Sequence, residues 1–115
     1  RLDYYTPIIA TTNQIIEENP ELAQKFMDAT TKGYEYAIAN PTEAAEIILQ
    51  YVPEYDIEML TKSQEYLAGR YKEDSERWGL MKAEIWDGYT DFMVESGLIE
   101  KEVSSDQLYT NEFLK

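Results

Sequence analysis

The chain has 115 residues, enough for one small domain with its own core, and its 43% hydrophobic and 13% aromatic content argues against disorder. Its net charge of −13 and pI near 4.2 repel phosphate backbones and acidic headgroups, so neither nucleic acid nor an anionic lipid surface is expected as a partner. It contains no cysteine and no histidine, which removes thiol nucleophiles, imidazole bases and zinc sites of the Cys/His kind.

The opening stretch, Tyr4-Tyr5-Thr6-Pro7-Ile8-Ile9-Ala10, has a β-rich composition and predicts a strand at about Tyr4–Ala10. Pro7 restricts its early part to a strand start or an edge. From there the pattern is helical almost to the end. Thr12 or Asn13 caps a short helix through Ile15 and Ile16, which must stop before Pro20. Asn19 caps a second helix with Pro20 at its first position, where a missing N–H costs nothing. Gly33 lies inside that helix and is read as allowing a close approach.

Asn40-Pro41 repeats the device, with Glu43 three residues after Asn40 as in a capping box. The two Asn-Pro pairs stand 21 residues apart, unlike the 33 or 34 of ankyrin or tetratricopeptide arrays, and the residues after them differ. They are read as two independent helix starts. Asp56 caps a fourth helix with Gly69 at its C-terminal end. A polar connection carrying Trp78 leads to a fifth helix, from about Met81 to Glu95 and starting near Gly79, which Gly97 terminates. Ser104 to Gln107 reads as the cap of a short last turn. Helical spacing predicts that Leu22, Phe26, Ile47, Ile48, Leu60, Trp86, Tyr89 and Phe92 are buried together.

One strand cannot satisfy its own backbone groups. With a first residue that is not Met, it suggests a piece of a longer protein, with any export signal upstream. The expected fold class is mainly α: four to five helices plus the N-terminal strand.

Little in the chain calls for chemistry. The acidic clusters Glu17-Glu18, Glu73-Asp74 and Glu100/Glu102 lack the spacing of a calcium loop and read as solvated surface. No catalytic residue, metal ligand or cofactor is assigned. Tyr4 and Tyr5 are the candidate ligand-binding residues. On a strand they point to opposite faces, so one packs inward while the other offers a ring and a hydroxyl to a planar heterocycle. Core or hinge packing is the competing use of both. Trp86 reads as core and Trp78 as a plug at a helix start.

The stretches "DYYTPIIATT", "NPELAQKFMDATTKGYEYAIANPTEAAEIIL", "RWGLMKAEIWDGYTDFMVESGLI" and "YTNEFLK" resemble the substrate-binding proteins of ABC transporters for nitrate, sulfonates and thiamine pyrimidine precursors. The likeness is nearest the hydroxymethylpyrimidine-type branch. It implies the C-terminal part of an α/β two-lobe, type II periplasmic-binding fold, with residues 1–12 as a crossover strand and 13–115 as the helical part. It implies a small nutrient as ligand, a membrane permease as partner and an extracytoplasmic location, periplasmic or lipid-anchored. It implies binding without catalysis. Two other readings stay open: a pyrimidine-precursor biosynthetic enzyme on the same fold, and a freestanding helical interaction module. A fragment with an unpaired strand edge and uncovered apolar faces is expected to self-associate.

Overall fold

A computed structural model describes all 115 residues. Five α-helices follow one another: α1 (Asn13–Glu18), α2 (Pro20–Ala39), α3 (Pro41–Tyr51), α4 (Ile57–Ala68) and α5 (Ala83–Glu95). A single 3₁₀ turn, Ser105–Gln107, comes near the end. The mainly helical expectation is borne out, and each predicted helix forms.

The strand expected at Tyr4–Ala10 does not. Residues 1–12 run as irregular chain, with a cis Thr6–Pro7 bond. The composition is β-favouring, but a strand exists only by pairing, and no other segment of this chain is extended alongside it.

The helix ends follow local chemistry. Thr12 Oγ1 accepts from the Ile15 N–H at 3.2 Å, and Asn19 Oδ1 accepts from the Leu22 N–H at 3.3 Å. Asp56 Oδ2 accepts from the Met59 N–H at 3.0 Å. Each supplies an orphan N–H of a first turn with an acceptor. Asn40 departs from the capping box. Its own N–H still bonds to the Tyr36 carbonyl at 2.8 Å, completing the last turn of α2. Its side-chain Nδ2 turns back to the same carbonyl at 3.1 Å and caps nothing on α3. Glu43 is taken instead by the Tyr36 hydroxyl, which donates a short hydrogen bond to its carboxylate. At the end of α5, Gly97 has φ +68°. Its N–H reaches the Val94 carbonyl, and the Leu98 N–H reaches that of Met93, both at 2.9 Å. This left-handed closure needs glycine's freedom.

Two compact units divide the chain: Arg1–Ala23 with Met81–Lys115, and Gln24–Leu80. In the second unit α3 packs on α4. Ala44 and Ala45 are buried there and small enough to let the helices approach, with Leu60 and Gln64 buried opposite. Tyr34 of α2 stacks on Trp78 at 4.2 Å and 14°, and meets Tyr71 edge-on at 5.0 Å. The Tyr71 hydroxyl donates to Gln64 Oε1 at 3.1 Å. Trp78 therefore pins the 69–80 connection onto α2.

In the first unit α5 packs on the 3₁₀ turn, and Thr90 is its one buried residue.

The predicted buried group does not assemble. Of its eight members only Leu60 is buried, while Ile48, Trp86 and Tyr89 are half-buried. Leu22, Phe26, Ile47 and Phe92 are exposed, and the set is divided between the two units. Helical spacing reports which side chains share a face; it carries no information on whether another element covers that face. Gly33 likewise marks no close approach: a Cβ built there meets nothing within 4 Å.

Candidate functional site

Tyr4 and Tyr5 are brought together with α5. Ile85, Trp86 and Tyr89 lie one helical turn apart or adjacent on α5, so one face of that helix presents two aromatic rings. The N-terminal segment lies against this face. Tyr4 stacks on Tyr89 with centroids 5.5 Å apart at 22°. Tyr5 meets Trp86 at 6.1 Å, tilted by 46°. Tyr4, Tyr5, Thr6 and Ile8 together with the α5 trio line a cleft of about 270 Å³.

The two tyrosines are held unequally. Tyr4 is 53% exposed and rests on one stacking contact. Tyr5 is half-buried, and its hydroxyl accepts from the Lys82 N–H at 2.8 Å. Trp86 is fixed from behind by Tyr109, which stacks on it almost parallel, at 6° and 5.9 Å. The indole N–H of Trp86 is buried and has no hydrogen-bond partner. An aromatic-walled cleft with one anchored hydroxyl can hold a flat, weakly polar ring by stacking and fix its orientation by a directed hydrogen bond.

A second, larger groove of about 370 Å³ is lined by Asp87, Thr90, Asp91, Glu102, Val103 and Ser104. Its carboxylates share the polar side of α5 and the segment after it, and no group of three or more acidic side chains is placed to hold a metal ion. It offers no aromatic wall. The clusters Glu17-Glu18 and Glu73-Asp74 are exposed. Asp3 is exposed too, and pairs with Arg1 at 3.6 Å. The one titration shift that stands out lies outside the cleft. The hydrogen bond to Glu43 holds the Tyr36 phenol above its ordinary range, helped by desolvation and by the charges of Glu43 and Glu46.

Tyr4 and Tyr5, the residues expected to face a ligand, lie at this cleft, and it is walled as well by Trp86 and Tyr89, which were expected in a core. The spacing along α5 gave the shared face; that the face is opposed by the N-terminal segment was visible only in three dimensions. Tyr109 and Asn111 carried no site signal beyond their place in "YTNEFLK".

Residues 1–44, which carry both tyrosines, match the family model described as NMT1/THI5 like. Over 112 residues the chain is 34% identical to the riboflavin-binding protein RibY of Chloroflexus aurantiacus. That match covers 92% of this chain and 32% of the relative, so the chain spans about a third of the length of the curated protein it matches. Both likenesses agree with the resemblance to ABC-transporter substrate-binding proteins. No helix is long and apolar enough to cross a membrane.

Proposed function

We propose that this chain is the C-terminal part of a two-lobe solute-binding protein that captures a planar nitrogen heterocycle outside the cell and delivers it to an ABC-transporter permease. The observation that carries the reading is the cleft in which Tyr4, Tyr5, Trp86 and Tyr89 converge. Stacking between faces of aromatic rings suits any flat heterocycle, and a hydroxyl at the wall selects one that can hydrogen-bond. The reading involves no reaction: the cleft holds rings, methyl groups and hydroxyls, and no nucleophile or base is paired there. The likeness to a riboflavin-binding protein and to the NMT1/THI5-like family supports a binding role.

For the ligand, a thiamine pyrimidine precursor is the first reading. A cleft of about 270 Å³ is slightly smaller than the roughly 300–1,000 Å³ usual for ligand sites, and this wall suits a single ring. Riboflavin is the second, favoured by the name of the relative. Its three fused rings need a further wall, which the two-lobe reading supplies from outside these 115 residues.

Calorimetric titration of the longer protein with a hydroxymethylpyrimidine and with riboflavin tests the reading. Replacing Tyr5 by Ala is expected to weaken the bound ligand by about 1–3 kcal/mol, the scale of ring-on-ring stacking. The isolated chain is expected to bind neither, because it supplies one wall. Unchanged affinity with Ala at both Tyr4 and Tyr5 removes the site assignment, and micromolar binding by the isolated chain removes the two-lobe reading.

A further inference from the structure

Two residues near the end of the chain make well-formed contacts that the cleft itself does not use. Asn111 Oδ1 accepts from the Met81 N–H at 3.0 Å, and its Nδ2 donates to the Met81 carbonyl at 2.8 Å. The peptide unit that begins with this carbonyl ends in the Lys82 N–H, which donates to the Tyr5 hydroxyl at 2.8 Å. One rigid, planar peptide group is thus bound at its oxygen by Asn111 and at its nitrogen by Tyr5. Tyr109, two residues earlier, stacks on Trp86, and Trp86 braces the ring of Tyr5. Neither Tyr109 nor Asn111 lines the cleft.

We propose that Asn111 and Tyr109 are positioning residues for Tyr5, setting the strength and chemistry of ligand binding without touching the ligand. The proposal rests on the aromatic-cleft reading above. Its physical basis is twofold. A hydrogen bond accepted at the carbonyl of a peptide group polarises the N–H at its other end, so Asn111 strengthens the bond that holds the Tyr5 oxygen and fixes the plane from which it comes. That bond occupies an acceptor position of the phenol and leaves its O–H to donate. The cleft therefore selects a heterocycle presenting an acceptor, a ring nitrogen or a carbonyl, to Tyr5. Tyr109 works through the ring rather than the hydroxyl. The buried indole N–H of Trp86 finds no partner, so Trp86 is held in place by its stacking faces, and Tyr109 covers one of them.

The test is a double-mutant cycle on the longer protein, read as affinity for riboflavin and for a hydroxymethylpyrimidine. Asn111→Ala and Tyr5→Phe are each expected to weaken binding by about 3–10-fold, the range of one net hydrogen bond. The double variant is expected to bind no more weakly than Tyr5→Phe alone, because the Asn111 effect passes through the hydroxyl. Tyr109→Phe, which keeps the ring, is expected to restore the affinity lost in Tyr109→Leu. Additive effects of Asn111→Ala and Tyr5→Phe, or an Asn111→Ala protein that binds as the wild type does, overturn the proposal. A ligand-free reading runs beside it on the 115-residue chain: hydrogen exchange at the Lys82 amide. Tyr5→Phe is expected to speed that exchange and leave the Met81 amide protected, while Asn111→Ala speeds both. Asn111→Asp, which keeps the Oδ1 acceptor and loses the donor to the Met81 carbonyl, replaces Asn111→Ala if the latter fails to fold, with Lys82 exchange again expected to rise. Unchanged Lys82 exchange in the Asn111 variant overturns the coupling. Failure of the wild-type protein to bind either probe, with the exchange pattern as expected, counts against the cleft reading alone.

Discussion

The Tyr5 hydroxyl and the Lys82 backbone N–H meet at 2.8 Å across a separation of 77 residues. This bond ties the N-terminal segment to the residue that immediately precedes α5, so the two halves of the candidate cleft are registered against each other. Tyr5→Phe keeps the ring against Trp86 and loses only this bond. A loss of about 0.5–1.5 kcal/mol in denaturant-unfolding free energy is expected. No loss at all would mean that solvent replaces the hydroxyl without cost.

Leu60 and Phe92 both fall on apolar helix faces, but Leu60 is 9% exposed and Phe92 42%. Leu60→Ala empties a packed position between α3 and α4 and is expected to cost about 2–3 kcal/mol. Phe92→Ala removes a ring that water already reaches, and about 1 kcal/mol is expected from its partial burial. Urea melts of the two variants compare them directly. A larger loss at Phe92 would place a covering element over α5.

Gly33 sits in the exposed middle of α2 with open space where a Cβ would project. Gly33→Ala should therefore stabilise the helix by roughly 0.5–1 kcal/mol, through lower backbone entropy in the unfolded chain. Thermal unfolding followed by circular dichroism reads the gain. A destabilised variant would reveal that a partner surface approaches α2 at this position.

Tyr36 donates to Glu43 across the α2–α3 junction, and this bond, with partial desolvation and the nearby charges of Glu43 and Glu46, raises the phenol above its ordinary range. The raised value means that the neutral phenol is favoured in the folded chain. Its contribution is therefore complete below the unfolded phenol's range and fades only as pH rises through the folded value. Carbon NMR of Tyr36 is expected to show it ionising at higher pH than an unperturbed tyrosine, with Glu43→Gln moving it back down. The same titration in both proteins would remove the Glu43 assignment.

Self-association of the isolated chain is the remaining expectation. An unpaired strand edge cannot drive it, since no strand forms. The exposed apolar side chains can: Leu22 and Phe26 stand one turn apart on α2, and Ile47 and Tyr51 one turn apart on α3, all at least 45% exposed. Sedimentation velocity over a micromolar concentration series is expected to show mass rising with concentration. A monomer at every concentration, with one cooperative melt, would show that these faces are tolerated in water.

The helices are legible in the sequence, because their signals are local. Thr12, Asn19 and Asp56 act on N–H groups three residues away, Pro20 and Pro41 fix the first turns, and Gly97 closes α5 through its own φ. Tyr4 and Tyr5 were legible as a ring pair for the same reason: two adjacent side chains announce themselves. What the tertiary structure alone decided is everything that depends on what lies opposite. A β-rich segment without a partner stayed irregular, since strand hydrogen bonds are made between segments. An evenly spaced set of apolar residues split into one buried, three half-buried and four exposed members, since periodicity specifies a face and not its cover. Trp86, read as core, became a wall of the cleft, and Asn111 reached Met81 across 30 residues. Such contacts arise from chain closure, which a local pattern does not encode.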